Sequence, residues 1–238
     1  MMSAKSGNST EHVNKKPRID RDSFDTMVVV KVGRDETVFR MHKTIICNVS
    51  PFFKAAFEGN FVEAQEQVLE LLDESITMFK HFQLWVYTDS IITKGETATD
   101  VTWVSLACLY IFGEKCGIPD LQNMAIDVLI DKQQISIRMP ISIIRKVYDD
   151  TPATAPLRRL LVDLMACKFP VVHGGLAEWM REQIPKDFLF DLAVVLHALR
   201  AGSKADIEDF KACRSDYHVK SPVSPPAPTS GGAASKPL

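Results

Sequence analysis

The sequence MVVVKVGRDETVFRMHKTIICNVSPFFKAAF, residues 27–57, decides the fold. β-Branched residues fill the run from Met27 to Val32. After a turn, side-chain character alternates from Thr37 to Met41, so the two runs predict a β-hairpin. From His42 on, a helical stripe is formed by Ile45, Ile46 and Val49. Ser50-Pro51 then supplies a capping hydroxyl and a proline suited to a first helical turn. This stretch therefore predicts a hairpin followed by two short helices.

The chain continues with one more strand and further helices. After a polar connection at residues 63–67, the run from Val68 to Leu72 predicts a third strand, and either Asp73 or Ser75 is placed to cap the next helix. Pro119 is placed to open another helix. A helix between these two is predicted from apolar residues at helical spacing, which are Val101, Val104, Cys108 and Ile111. Three strands combined with these helices predict an α+β fold that closes near Asp131.

Beyond Asp131 the apolar spacing is helical throughout. One stripe follows Pro156 and ends at Pro170, and another begins at Phe188 and stops at Gly202. A shorter amphipathic piece between them carries Leu176, Trp179 and Met180. The second half of the chain is therefore predicted to be an all-helical extension.

Composition narrows the classes of function. A net charge of -2, from 28 basic and 30 acidic residues, gives no electrostatic reason to expect direct binding to nucleic acid or to an anionic membrane. The five cysteines lack metal or disulfide spacing and are predicted to be reduced core thiols of an intracellular protein. Residues 1–22 are too polar to pack and residues 213–238 are rich in proline, so both ends are predicted to be disordered.

The sequence carries no constellation of catalytic residues. It lacks a nucleophile elbow, phosphate-binding glycine loops and a zinc-protease motif, so we predict no catalytic residue, no cofactor and no enzyme. His173 and His197 have no second ligand at metal spacing, so no metal site is predicted. His42 lies at a strand-helix junction, where we predict that it caps the helix or bonds the backbone.

Several short motifs, taken in order, resemble the BTB/POZ domain. They include His42-Lys43, Ser50-Pro51-Phe52-Phe53 and Tyr87-Thr88 in the first part of the chain. The run Gly113-Glu114-Lys115 and the run from Ile118 to Asn123 resemble the last helices of that family. The resemblance covers roughly Asp25 to Asp131. It implies a three-stranded sheet with a helical cluster that serves as a protein-protein interaction platform and has no active site.

Two further points of comparison with the family bear on partners. Many BTB domains begin with an amphipathic helix exchanged between the subunits of a dimer, whereas here only Ile19 and Phe24 are available to anchor one, so a domain-swapped dimer is not predicted. Phe61-Val62-Glu63 resembles the hydrophobic-x-Glu element by which BTB adaptors contact a cullin scaffold. Phe61 would serve as an apolar anchor and Glu63 as a charged hydrogen-bond acceptor. The alternative is that Phe61 packs on its own domain and Glu63 is one of several solvated acids.

The extension has a resemblance of its own. Its run from Thr151 to Asp163 resembles a helical extension found in uncharacterised fungal BTB proteins. Either the extension is a helical cap on the domain core or it forms a groove for a substrate or a cullin. The predicted organisation is a disordered arm at 1–22, a BTB/POZ domain at 23–132, a helical extension at 133–212 and a disordered tail at 213–238.

These observations favour an intracellular adaptor that recruits a client protein to a larger complex, with a cullin-RING ubiquitin ligase as the implied complex and Phe61 and Glu63 as the contact residues. The alternative is a self-associating scaffold or a transcription-linked cofactor without ligase ties. Lys15, Lys16 and Arg18 form a short basic cluster that resembles a nuclear import signal, which leaves cytoplasmic and nuclear locations open. The partners predicted are proteins, with no direct nucleic acid and no membrane.

Overall fold

A computed structural model describes residues 20–136, 141–168, 184–204 and 206–220. The hairpin predicted from residues 27–57 is present as β1 (Met27–Val32) and β2 (Thr37–His42), which pair antiparallel with Val30 opposite Phe39. The third predicted strand is β3 (Val68–Leu71), which pairs with β1 in parallel. The sheet order is therefore β2-β1-β3, with the first strand in the centre.

Helices connect and cover one face of this sheet. They are α1 (Lys43–Val49), α2 (Pro51–Glu58), α3 (Val62–Glu66) and α4 (Ile76–Thr88). The Ser50 hydroxyl accepts a hydrogen bond from the Phe53 amide, which confirms the predicted cap of α2. Of the two candidate caps for α4, Ser75 is the one whose side chain accepts from the first turn.

The core behind the sheet is rich in phenylalanine. The Phe53 and Phe82 rings lie 5.7 Å apart, and Phe112 packs edge-on against Phe82 at 5.0 Å. Phe79 joins this group and also contacts Phe39 on β2, with ring centroids 4.7 Å apart. Such offset and edge-on contacts add to the area that the rings bury. They tie the sheet to α2, α4 and the following helix.

That following helix, α5 (Trp103–Cys116), is buried around most of its circumference. The predicted stripe was wrong at Val104, which is 48% exposed. The reason is that α5 contacts α4, α6 (Pro119–Ile135) and α7 (Ile141–Asp150). Because residues on nearly every face of α5 are apolar, no single apolar stripe predicts which of them are buried. As predicted, Pro119 opens α6.

The helical extension consists of α7, α8 (Pro156–Lys168) and α9 (Lys186–Arg200). The predicted stripe on α8 is buried, including Leu157, Leu160 and Leu164. One continuous apolar cluster joins these helices to the core behind the sheet. The chain therefore carries a three-stranded sheet with helices, followed by a helical region that shares its core.

Two predicted boundaries differ from the structure. α6 runs to Ile135 without a break, across the expected division at 132/133. Residues 206–220, which we call the strap, return to α6 and α8 and include a 3-10 helix at Arg214–Tyr217. Tyr217 is buried, so residues 213–220 are not part of a disordered tail. The Pro-rich composition that suggested disorder begins only after them.

The opposite end shows a smaller difference. Arg21–Phe24 form a 3-10 helix capped by Asp20, so Arg21 and Asp22 are ordered although they were assigned to the arm. His173, the stretch containing Leu176, Trp179 and Met180, and the basic cluster Lys15, Lys16 and Arg18 lie outside the described residues. Within the described ranges, no helix combines the length and apolar character needed to cross a membrane.

Candidate protein-interaction surface

Phe61 and Val62 form an apolar tip at the start of α3. Each side chain is 61% exposed. Phe61 precedes the helix in an extended conformation, and Val62 is its first residue. The Phe61 side chain is therefore not buried in its own domain, and its role as a partner contact stays a prediction.

Gln67 holds the tip in place. It ends α3 in the left-handed conformation, with φ of 54°. Its side-chain amide donates to the carbonyls of Phe57, at 3.3 Å, and Ala64, at 2.5 Å. These bonds join the end of α2 to the end of α3, so the five-residue helix keeps one conformation although it is too short to be stable alone. The apolar tip is thus presented by an ordered loop.

Glu63 lies in the first turn of α3 and is half-buried. To the part of the chain that the structure describes, its carboxylate makes no hydrogen bond or ion pair. Glu58 and Glu66 lie nearby in the sequence and are both exposed. The tip therefore combines two exposed apolar side chains with a carboxylate whose acceptor capacity remains available.

His42 has a structural contact, but not the predicted one. Its side chain does not cap α1. Instead its Nδ1 lies 3.0 Å from the Tyr87 hydroxyl, which also accepts a hydrogen bond from the His42 amide at 3.1 Å. The hydroxyl can donate to Nδ1 while it accepts from the amide, so one group satisfies both. Phe24 packs edge-on against the imidazole at 5.0 Å, which anchors the first 3-10 helix.

The cysteines are free thiols, but only two of the five are fully buried. Burial raises the pKa of Cys47 to about 11 and that of Cys116 to about 12. Cys108, Cys167 and Cys213 are only partly buried and pack against the edge of the core, so the prediction of core thiols holds fully for Cys47 and Cys116 alone. Cys213 also lies outside the regular helices. Thiols with raised pKa values are poor nucleophiles.

The described residues include no group of three or more His, Cys, Asp or Glu side chains able to hold a metal ion. His197 lies in the last turn of α9, where no partner ligand accompanies it among the described ranges. A cluster of buried polar side chains does exist, at Asp163 on α8. Its carboxylate accepts a hydrogen bond from Tyr217 at 2.9 Å and pairs with Lys204. This cluster holds the strap in place.

Sequence analysis missed the surface that the strap contacts. Asn123, Asp127 and Asp131 recur every four residues along α6 and lie on one face of that helix. We call them the α6 row. They contact Val219, His218, Arg214 and Lys211 of the strap. The four-residue spacing of polar side chains was a usable signal, but nothing in the sequence linked it to residues about 90 positions later.

Comparison with known protein families finds a match in the first part of the chain. A model of the BTB/POZ domain matches residues 18–114. No curated protein matches the sequence. The match ends within α5, so the remainder of α5, α6 and the helical extension lie beyond it. The family is one of protein-protein interaction domains and is typically not enzymatic. The chain therefore contains a BTB/POZ domain, a protein-protein interaction module, which is matched over residues 18–114 and followed by a helical region.

Proposed function

We propose that this protein is an adaptor that binds a cullin scaffold through Phe61, Val62 and Glu63 and recruits a client protein to it. The observation that carries the proposal is the exposed apolar tip on an ordered loop of a BTB/POZ domain. An exposed aromatic side chain can enter a partner's pocket as an anchor, and a loop whose backbone is already fixed loses less conformational entropy on binding. The same tip resembles the hydrophobic-x-Glu element of BTB adaptors.

Glu63 adds direction to this contact. An apolar anchor alone binds any pocket of suitable size, whereas a carboxylate requires a donor at a fixed distance from that pocket. Because Glu63 has no partner within the described residues, it pays no cost of breaking an internal bond when it binds. The tip therefore supports recognition by shape and by charge together.

A pull-down with a cullin N-terminal domain tests the proposal. The full chain is compared with a Phe61→Ala, Glu63→Ala double variant, and we expect the variant to lose most of the binding, roughly 2 kcal/mol or more for a central aromatic anchor. Phe190→Ala is the control, because Phe190 on α9 is also an exposed phenylalanine, at 71%, and lies far along the chain from the tip. Equal capture of wild type and double variant, or no capture of either, contradicts the proposal.

A self-associating scaffold without ligase ties is the second candidate. Phe24 and Met27 remain 49% and 44% exposed at the start of β1, so a second copy has apolar surface available there. Light scattering on a fragment of residues 20–220 distinguishes the two, because we expect mainly monomer at micromolar concentration. A stable dimer lost in a Phe24→Ser, Met27→Ser variant supports the scaffold instead. The likeness of the extension to fungal BTB proteins stays a prediction.

A further inference from the structure

We propose that the α6 row and the neighbouring Asp163 pocket form a binding site for a segment that carries spaced cationic side chains and a tyrosine anchor, and that the strap occupies this site as an internal ligand. The partner is a segment of a client protein with the same chemistry, which binds when the strap leaves. This inference rests on the proposed adaptor function, for which it names the client-binding surface. The argument begins with how the strap is held.

Asn123 contacts the main chain of the strap rather than a side chain. Its amide nitrogen donates to the Val219 carbonyl at 3.2 Å, and its oxygen accepts from the Val219 amide at 2.6 Å. This pairing satisfies both polar groups of one residue, as a neighbouring strand does in a sheet. Because residue 219 contributes only backbone atoms to these bonds, any residue except proline can make them in the place of Val219. The contact is therefore open to other segments.

The two carboxylates of the row set the charge of the segment. Asp131 pairs with Lys211 and Arg214, each at 3.1 Å. Asp127 pairs with His218 at 2.9 Å and with Arg214 at 3.5 Å. Without the strap, two carboxylates one helical turn apart face solvent with like charge, which is unfavourable. The row therefore favours a segment with cations spaced as in the strap. Each pair is partly exposed, so each is weak and sensitive to salt.

Tyr217 supplies the anchor. It is 2% exposed, its hydroxyl donates to the buried Asp163, and Arg159 lies over its ring at 5.2 Å. Phe210 stacks on it at 6.1 Å between ring centroids. A hydroxyl that reaches a buried carboxylate distinguishes tyrosine from phenylalanine, because phenylalanine leaves the carboxylate with one bond fewer. The site thus selects a tyrosine with an arginine three residues before it.

A cleft of about 450 Å³ lies beside Tyr217, lined by Arg159, Lys204, Ser215 and Lys220 among others. The strap crosses α6 and α8 with a 3-10 helix as its only described regular structure. Phe210 and Tyr217 anchor it in the core, whereas its contacts to α6 are hydrogen bonds and partly exposed ion pairs. Segments of this kind open locally at a lower free energy than core helices do. A competing segment therefore has access to the site while the strap is open.

The test uses a fluorescent peptide of residues 206–220 and the full-length chain. We expect the peptide to bind a Tyr217→Ala chain at least about tenfold more tightly than wild type, because the intact strap competes as an intramolecular ligand at high effective concentration. Adding Asp127→Asn and Asp131→Asn to that chain is expected to weaken binding about tenfold and to reduce its salt dependence. A peptide with alanine in place of its tyrosine serves as the control and is expected not to bind.

Three results would overturn the proposal: no binding to the Tyr217→Ala chain, binding that is indifferent to Asp127 and Asp131, or binding of the control peptide as tight as that of the native one. If Tyr217→Ala fails to fold, hydrogen exchange on wild type decides, because the Val219 amide must exchange well before the amides of α8. If the Val219 amide and the α8 amides exchange at the same rate, the strap does not open separately from α8 and the proposal is wrong. The Phe61→Ala, Glu63→Ala chain must bind peptide as wild type does, so failure here is distinguishable from failure of the cullin contact.

Discussion

At the scale of single residues, Ser50 joins two helices through a single hydroxyl group. Its hydroxyl accepts from the Phe53 amide and donates to the Cys116 carbonyl at 2.8 Å, so it caps α2 and joins it to the end of α5. Ser50→Ala removes the cap and leaves a buried carbonyl unsatisfied, and we expect a loss of about 2 kcal/mol in the free energy of unfolding. Urea denaturation measures this loss.

Ser75→Ala is the matched control, because Ser75 caps α4 in the same way and its side chain makes no second bond within the described residues. We expect that variant to lose only about 1 kcal/mol. If the two variants lose the same stability, the bond to Cys116 contributes nothing.

Residues of this kind show what sequence reasoning reaches. The Ser-Pro pair predicts a cap because capping is local, and Ser50 confirms it. The bond to Cys116 joins residues 66 positions apart, and no local pattern indicates it. His42 is similar, because its junction position predicts a structural role but its partner Tyr87 lies 45 positions later. The exposure of Phe61 also depends on the loop fixed by Gln67, which the sequence left undecided.

At the scale of elements, the contact between α5 and α6 depends on Gly113. A Cβ added there lies 2.7 Å from the Gln122 side chain and 3.1 Å from the Ile118 carbonyl oxygen. Alanine has the higher helix propensity by about 1 kcal/mol, but overpacking costs about 1 to 3 kcal/mol and the backbone oxygen cannot move aside. We therefore expect Gly113→Ala to lower the free energy of unfolding by about 1 to 2 kcal/mol, as measured in urea.

Val104→Ala in the same helix provides the comparison, since that side chain is largely exposed and we expect a change within about 0.5 kcal/mol. A Gly113→Ala chain as stable as wild type, or more stable, shows that α5 and α6 are free to separate at this point.

Elements differed in how well the sequence predicted them. The strands and α2, α4 and α8 carry clear alternation, caps or stripes, and they lie where predicted. The sequence did not indicate α3, because five residues are too few for a stripe and Gln67 is an unusual residue for the left-handed conformation that ends the helix. Apolar spacing failed to predict which residues of α5 are buried for a different reason. A helix that is surrounded by other helices has no polar face, so its buried face cannot be told apart in the sequence.

At the scale of the whole molecule, the strap is what composition misjudged. The prolines that follow the strap predict disorder for residues 213–238, yet two aromatic anchors and ion pairs to α6 hold residues 206–220 against the helices. The BTB/POZ domain and the extension also share one continuous apolar cluster, so the core has no boundary where the sequence suggests one. Both features arise from contacts between distant segments.

The same whole core holds several weak acids in their neutral form, which predicts a loss of stability in alkali. Burial raises the pKa of Cys116 to about 12 from an ordinary value near 9, and it raises the pKa of Tyr110 and Tyr217 as well. Above pH 9 the unfolded chain loses these protons before the native chain does, so the native state binds more protons. Stability is therefore constant with respect to these groups below pH 9 and falls as pH rises.

Each group that is deprotonated in the unfolded chain but still protonated in the native chain lowers the free energy of unfolding by about 1.4 kcal/mol per pH unit. We expect Cys116→Ala to lose about 1 to 3 kcal/mol less than wild type between pH 9 and pH 11, as measured by urea denaturation at each pH. Cys213→Ala is the control, because that thiol is partly exposed and its removal should leave the slope nearly as in wild type. Parallel profiles for wild type and Cys116→Ala mean that the thiol titrates in the native state as it does in the unfolded chain, and that water reaches the junction of α2 and α5.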